Sequence, residues 1–494
     1  MSLLQTLSNW RPFRVLVVGD FMLDQLVKGD AERLTADAPV PVLHVRSTEE
    51  MPGGAANVCL DLRALHGDVR ALGVVGDDHD GRLLRELLER EGVDASGLVA
   101  DPTRPTTVKR NLVGLAQHRH PQKMFRVDFE SREPIAKDAF ERLCERVRAS
   151  MQWADVVAIE DYGKGVCSEA VCRAVIEAAR EAGVPVLVDP AATADYTKYA
   201  GCSAITPNRT EAERATGALD QAMSDDERAP WMAHTLRDRL ACDAVVLTLD
   251  KEGAWLLDDQ GGRRIPTQAR QVYDVTGAGD MVLAALCAAR ANGLGWTDAT
   301  VFANAAAGLE VEIFGVRPIP LERVHQSILT HGRPPSAKHR TLEEARVEVA
   351  AARREGRSVV FTNGCFDLLH AGHVSLLRKC AALGDVLVVG LNSDASVTRL
   401  KGPERPVHTI DDRVEVLSEL MSVSLIVVFD EDTPERTIEA LRPDVLVKGA
   451  DYRKEDVVGG AFVESYGGRV ELVDLLEGRS TTGAISRIRS GAGA

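Results

Sequence analysis

The sequence is short of the features that mark several classes of protein. Its nine cysteines form no CxxC pair, and the closest neighbours are Cys167 and Cys172. An odd, dispersed set reads against a disulfide framework or a cysteine zinc site and suits a reducing compartment. Positive charge is also short: 59 Lys+Arg face 74 Asp+Glu, leaving a net charge of −15. A chain-wide positive field for nucleic acid or an anionic membrane is therefore absent, although a local basic pocket for a phosphorylated small molecule is compatible with it. No stretch approaches the roughly 18–20 uninterrupted apolar residues of a membrane span. The opening MSLLQTLSNWRPFRVLVVGD lacks a long apolar core and a small-residue cleavage site, which reads against a secretory signal. Low-complexity tracts and short repeats are missing too. These absences lead to the expectation of a cytoplasmic, multidomain enzyme with neither nucleic acid nor membrane as a partner. With 494 residues, of which 45% are apolar, two to four domains of about 100–200 residues are expected.

What is present is a rhythm. Short β-branched runs, among them Val15–Val18, Val156–Ile159, Val186–Val188, Val359–Phe361 and Val445–Val447, alternate with amphipathic stretches. Strands alternating with helices indicate an α/β fold with mostly parallel sheets. Ligands gather beyond the carboxyl ends of such strands, so residues terminating these runs draw attention. The stretch 331–341, HGRPPSAKHRT, carries two prolines and no apolar periodicity and reads as a linker. It separates a domain of residues 1–330 from one of residues 342–494.

In the first part the strongest signal is Asp274–Asp280, DVTGAGD, before a helical pattern ending at Gly293. Gly277, Ala278 and Gly279 let backbone N–H groups converge on an anion at a helix start. Asp280, at that start, is placed to take the proton of an attacking alcohol during phosphoryl transfer. Asp20 and Asp24 follow the first strand, where paired carboxylates can bind vicinal hydroxyls. Gly53-Gly54-Ala55-Ala56-Asn57 opens a helix with room for close ligand approach. Asn208, Arg209, Thr210 and Glu211 precede another helix, as at a nucleotide phosphate or its Mg2+. A Walker GxxxxGKS/T is missing, and Gly277-Ala278-Gly279 lacks the third glycine of a dinucleotide fingerprint. P-loop kinases and Rossmann dehydrogenases are thereby disfavoured.

This set resembles the ribokinase-like carbohydrate kinases over roughly residues 13–316. The resemblance implies that Asp20, Asp24, Gly54 and Asn57 bind sugar, that Gly277–Gly279 form the anion hole and that Asp280 is the base. It also implies Asn208 and Glu211 at the ATP phosphates, with Glu211 at the magnesium, and a monovalent cation near Asp274. Glu32-Arg33, Ala38–Val42, Thr106–Arg110 and Met124–Glu130 look like the β lid of the heptose-7-phosphate kinases. Lys109, Arg110, Lys123 and Arg126 form the local basic cluster that a phosphorylated sugar would need. Asp161-Tyr162-Gly163-Lys164-Gly165 also matches; Lys164 could contact a phosphate or only close a turn.

In the second part, Asn363-Gly364-Cys365-Phe366-Asp367-Leu368-Leu369-His370-Ala371-Gly372-His373 follows a strand directly. Histidines at i and i+3 share a face of a helix, and both can donate to a triphosphate. A zinc reading is weakened by the missing HExxH glutamate and third ligand. Cys365 reads as a strand-end thiol rather than a nucleophile. The His-x-Gly-His pattern resembles the cytidylyl- and adenylyltransferase superfamily over roughly residues 359–488. By that resemblance Asn363, Gly364, Phe366, Asp367, Asn392, Asp394, Lys448, Ser480, Thr481 and Thr482 line the nucleotide pocket. Lys401 and Arg413 supply cations, and Arg487 or Arg489 is a further candidate.

Together the two parts resemble the bifunctional heptose-7-phosphate kinase and heptose-1-phosphate adenylyltransferase family. That implies a ribokinase-like domain with a β lid ahead of a smaller Rossmann-like transferase, using ATP, Mg2+ and heptose phosphates. No phosphatase motif of the DxDxT/V kind appears, so a separate phosphatase is expected between the two steps. A homodimer through the segment near 33–45 is expected as well. The motifs alone leave open a cytidylyltransferase making a CDP-sugar and, more distantly, a sugar-phosphate sensor without activity.

Overall fold

A computed structural model describes residues 2–115, 122–267, 276–313, 317–330, 338–450 and 452–474. The chain divides into two units, one of residues 11–327 with Met1, the other of residues 2–10 and 328–494.

The first unit is built on a nine-stranded sheet. From one edge its strands are Gly261–Ile265, Ala254–Asp258, Ala244–Thr248, Ala204–Ile205, Val186–Asp189, Val156–Glu160, Phe13–Gly19, Gly67–Gly76 and Leu98–Asp101. Pairing is parallel throughout except for the two antiparallel strands ending at Asp258 and Ile265. Val15, Leu16, Val17 and Val18 are all fully buried, because helices cover both faces of this central strand. The helices Lys137–Met151, Glu169–Ala182 and Asp225–Leu240 lend Leu143, Val175 and Met232 to the core on one face. Ala278–Ala291 is apolar nearly all round and is buried among the strands and the helices Ala55–Ala64 and Trp296–Glu310. A separate four-stranded lid runs Pro41–Gly54, Phe21–Leu34, Thr107–Leu115, Gln122–Phe129, with its central pair parallel and its outer pairs antiparallel.

The second unit holds a six-stranded, wholly parallel sheet. Its order is His339–Arg340, Leu425–Phe429, Val386–Asn392, Val359–Gly364, Val445–Gly449, Arg469–Val473. The α/β class is therefore as the sequence pattern implies, and the lid and the smaller transferase-like layer are as the resemblance implies. The N-terminus departs from a first domain of residues 1–330. The helix Leu3–Ser8, closed by a Ser2/Gln5 capping box, lies on Leu342–Arg354 of the second unit, and Leu7 is fully buried. A helix of six residues cannot hold itself in water and needs such an apolar seat. Most of the proline-rich linker, residues 331–337, lies outside the described residues.

Candidate active sites

In the first unit the strand ends converge on Asp280. The helix carrying it starts after Gly277, whose φ of +91° favours glycine. Asp280 is 5% exposed. Its Oδ1 accepts from the Tyr162 hydroxyl at 2.7 Å and its Oδ2 from Asn57 Nδ2 at 2.9 Å. Burial raises its pKa, while the two hydrogen bonds and the Lys109 charge pull it back. Asn57 is delivered by the helix that begins after Gly54. Gly54 has φ +57°, and a Cβ there would lie 2.7 Å from the Asp20 carbonyl oxygen.

Asp24 sits on the lid strand Phe21–Leu34 with Oδ1 buried and without a hydrogen bond. Only a glycine at position 53 leaves it room, since a Cβ there would stand 2.6 Å from Oδ2. Burial raises the Asp24 pKa, and Lys109 opposes that. An unfilled carboxylate oxygen in this place suits a hydroxyl donor. Lys109, one lid strand over, holds its ammonium 4.4 Å from the centre of the Tyr162 ring.

Several expected residues already have partners within the chain. Asp20 is turned inward: its two oxygens accept from the amides of Tyr162 (2.9 Å), Lys164 (3.0 Å) and Val166 (3.2 Å). It is 1% exposed, and burial and then Asp161 push its pKa up to about 6. It organises the 161–166 loop. Lys164 is ion-paired with Glu130, and Arg126 grips Asp128 at 2.9 Å, so both charges are locally neutralised. Asn208 and Glu211 form a capping box, each side chain on the other's amide at 2.9 Å, while Arg209 turns to Glu252 at 2.7 Å. Thr210 is exposed in the first turn of the same helix. Asp274 lies outside the described residues.

Sequence reading missed Glu160 and Asp189, although each ends an apolar strand run. With Asp280 they bring three carboxylate oxygens within 4.8 Å of one another. Glu160 Oε2 is buried without a hydrogen bond, and burial holds both Glu160 and Asp189 well above their ordinary values. Glu211 adds its charge to the field at Asp189. Hard carboxylate oxygens of this kind fit a divalent cation carried with a nucleotide. A second group, Asp161 with Cys167 and Cys172, already holds a cation, because Lys198 Nζ lies 2.5 Å from Asp161 Oδ2.

In the second unit a cavity of about 570 Å³ opens beyond the strand Val359–Gly364. Asn363, Gly364, His370, His373, Asn392 and Lys448 line it. His370 caps the helix Ala371–Ala381, with Nδ1 accepting from the Gly372 amide at 3.1 Å. Its neutral form therefore carries the proton on Nε2. His373 stacks on it, ring centres 3.9 Å apart and planes 18° from parallel, as expected for i, i+3 at a helix start. Burial, then His370, lowers the His373 pKa to about 4. Phe366 is buried against His373, ring centres 5.2 Å apart.

Here too some expected residues have partners within the chain. Asp367 is spent on Arg405 and on the amides of Val407 (2.6 Å) and His408 (3.1 Å), and so anchors that loop. Asp394 accepts from Arg413 at 2.6 Å and from the Ile410 amide at 3.2 Å. Arg413 is a buried strut, donating to the carbonyls of Cys365 at 2.7 Å and Asn392 at 2.8 Å. The cations that do line the cavity are Lys401, Lys448 and the unforeseen Arg405. Its signal was a basic residue in the turn Gly402–Pro406. Ser480, Thr481, Thr482, Arg487 and Arg489 lie outside the described residues.

A lidded α/β kinase joined to a parallel α/β transferase is the class that these folds and sites define. The family model of pfkB family carbohydrate kinases matches residues 13–322, and the cytidylyltransferase-like model matches residues 361–475. The crystal structure of Escherichia coli phosphofructokinase-2 in complex with potassium shares the kinase fold. It has a TM-score of 0.53 and 18% identity, covering 64% of this chain and 97% of that one. Identity over the whole length narrows the class further. The chain is 44% identical to the Bifunctional protein HldE of Syntrophotalea carbinolica, covering 98% of this chain and 97% of that protein. It is 45% identical to the Bifunctional protein HldE of Geobacter metallireducens, covering 97% and 96%. The chain belongs to the bifunctional HldE family and is an enzyme with a sugar kinase unit and a nucleotidyltransferase unit.

Proposed function

We propose that the first unit moves the γ-phosphate of ATP to the C1 hydroxyl of D-glycero-D-manno-heptose 7-phosphate. The second unit then joins AMP from ATP to heptose 1-phosphate, giving ADP-heptose and pyrophosphate for the lipopolysaccharide core. The observation that carries this reading is Asp280, held through both oxygens at a helix start beside Lys109 and Asp24. An ionised carboxylate there accepts the C1 hydroxyl proton as that oxygen attacks the γ-phosphorus and ADP leaves. The Gly277–Gly279 turn receives the phosphate charge. Asp24, Gly54 and Asn57 hold sugar hydroxyls, and Lys109 meets the 7-phosphate. Magnesium would enter with ATP; Glu211, with Asp189 in its electrostatic reach, would hold it and neutralise the phosphates.

In the transferase the sugar phosphate is itself the nucleophile, so positioning and charge stabilisation suffice. Lys401 and Lys448 supply that charge, and His370, His373 and Arg405 supply donors. A separate phosphatase removes the 7-phosphate between the steps. The reading places the enzyme in the cytoplasm, where ATP is supplied, with neither nucleic acid nor membrane as a partner; no helix among the described residues is long and apolar enough to cross a membrane. A homodimer through the lid is supported by apolar side chains exposed on it, among them Leu34, Val45, Phe125 and Val127.

Phosphorus NMR of the full chain tests the scheme. With heptose 7-phosphate and ATP it should yield the 1,7-bisphosphate and stop there. Added phosphatase should carry the reaction to ADP-heptose. ADP-heptose without phosphatase would remove the separate third enzyme, and preference for CTP at the second step would replace the adenylyl reading by a CDP-sugar.

A further inference from the structure

We propose that Tyr162 is a positioning residue of the kinase, fixing the Asp280 carboxylate through its hydroxyl and the lid cation Lys109 through its ring. The inference rests on Asp280 being the base. Three contacts make Tyr162 a junction. Its hydroxyl donates to Asp280 Oδ1 at 2.7 Å, its ring carries the Lys109 ammonium at 4.4 Å, and its amide donates to Asp20 Oδ2 at 2.9 Å. One side chain thereby touches the start of the helix Ala278–Ala291 and the lid strand Thr107–Leu115, while its backbone is pinned to the end of the central strand.

The chemistry gives each contact a task. A carboxylate free to rotate presents its lone pairs in many directions. The Tyr162 hydroxyl on one oxygen and Asn57 on the other fix the plane of Asp280. A carboxylate oxygen only accepts, so the phenol hydroxyl is the donor of this pair. The ring does the complementary service for Lys109. An aromatic face orients an ammonium without neutralising it, unlike a carboxylate. Among the expected phosphate cations, Arg126 and Lys164 are cancelled by Asp128 and Glu130. Lys109, Arg110 and Lys123 make no ion pair among the described residues, and of these Lys109 is the one held over the Tyr162 ring beside Asp280, so its charge is kept for an anionic substituent on the sugar. Tyr162 thus couples the group that deprotonates the substrate to the group that recognises its phosphate.

A split between kcat and KM in the full chain tests this, with the transferase activity and the melting curve of each variant as controls for folding. Tyr162→Phe keeps the ring. It should lower the kinase kcat by about 10- to 100-fold, the range for a hydrogen bond to a charged group, and leave the sugar-phosphate KM within about twofold. Tyr162→Leu should lower kcat similarly and raise that KM by about 3- to 30-fold. Residual turnover measured with radiolabelled ATP then closes two cycles. Tyr162→Phe should cost nothing further in Asp280→Asn, and Tyr162→Leu should raise KM no further in Lys109→Met. If Phe and Leu change kcat and KM alike, or if Tyr162→Phe costs the same factor with and without Asp280, Tyr162 only fills space and the proposal falls. If Asp280→Asn by itself keeps more than about a tenth of the native rate, the base reading fails first and takes this one with it.

Discussion

In the first unit Asp280 is locked between Tyr162 and Asn57, with oxygens of Glu160 and Asp189 close by. In the second, two stacked histidines stand in a cavity with Lys401, Arg405 and Lys448. One site gathers buried acids whose pKa values are raised, the other gathers donors and cations. The difference follows from what each reaction lacks. A sugar hydroxyl must lose a proton, so the kinase supplies a carboxylate and accepts the cost of burying it. A sugar phosphate is already an anion, so the transferase needs no base and invests in stabilising charge on the triphosphate.

The sharpest way to break this comparison is to remove the carboxylate we propose as the base. Asp280→Asn should lower kinase turnover by about 10²–10⁴-fold, the usual contribution of a general base, and leave adenylyl transfer within about twofold in the same preparation. Coupled assays for ADP and pyrophosphate read both rates. Loss of both activities together would show that the sites are not independent. The reciprocal change, His373→Ala, should cost the transferase about 10²–10³-fold, as for loss of one donor to a charged transition state, and spare the kinase.

The part of this comparison that was legible in the sequence is the part written in local spacing. DVTGAGD, the paired glycines at 53 and 54 and the His-x-Gly-His step each name a turn entering a helix, and a turn is decided by neighbours in the chain. What stayed hidden depends on partners far away. That Asp20 accepts from the amides of Tyr162, Lys164 and Val166, more than 140 positions away, leaves no mark near position 20. Asn208 and Glu211 read equally well as phosphate ligands and as a capping box, because both uses need the same polar spacing. Leu7 gives no hint that the first helix packs on residues 342–354, since an apolar face names no partner.

Arg413 sharpens the contrast on the side of stability. Its guanidinium is 1% exposed and bridges Asp394 and the carbonyls of Cys365 and Asn392. Arg413→Met should destabilise the second unit by about 1–3 kcal/mol, the cost of leaving the carbonyls of Cys365 and Asn392 without their donor, since Asp394 is exposed enough to turn to water, while the first unit keeps its own denaturant midpoint. Following each unit by its activity across a urea series separates the two transitions. A single shared shift would mean that the units unfold as one.

The smallest expected effect concerns protons, and here Asp20 and His373 pull in opposite directions. Asp20 has a folded pKa of about 6, above the ordinary carboxyl range. The folded state therefore holds that proton more tightly, and its stabilising contribution is present at low pH and lost as pH rises through about 6. His373 has a folded pKa of about 4, below its ordinary 6.5. The unfolded state binds that proton more tightly, so the second unit loses stability as pH falls from about 6.5 towards 4. At neutral pH the imidazole is then uncharged, which spares it the repulsion of a second cation in a stacked pair. Histidine Cε1 resonances of the full chain, with His373→Ala for assignment, should show no titration of His373 between pH 8 and about 5. A midpoint near 6.5 would mean that burial does not govern this ring, and the opposition between the two sites would then rest on the acids alone.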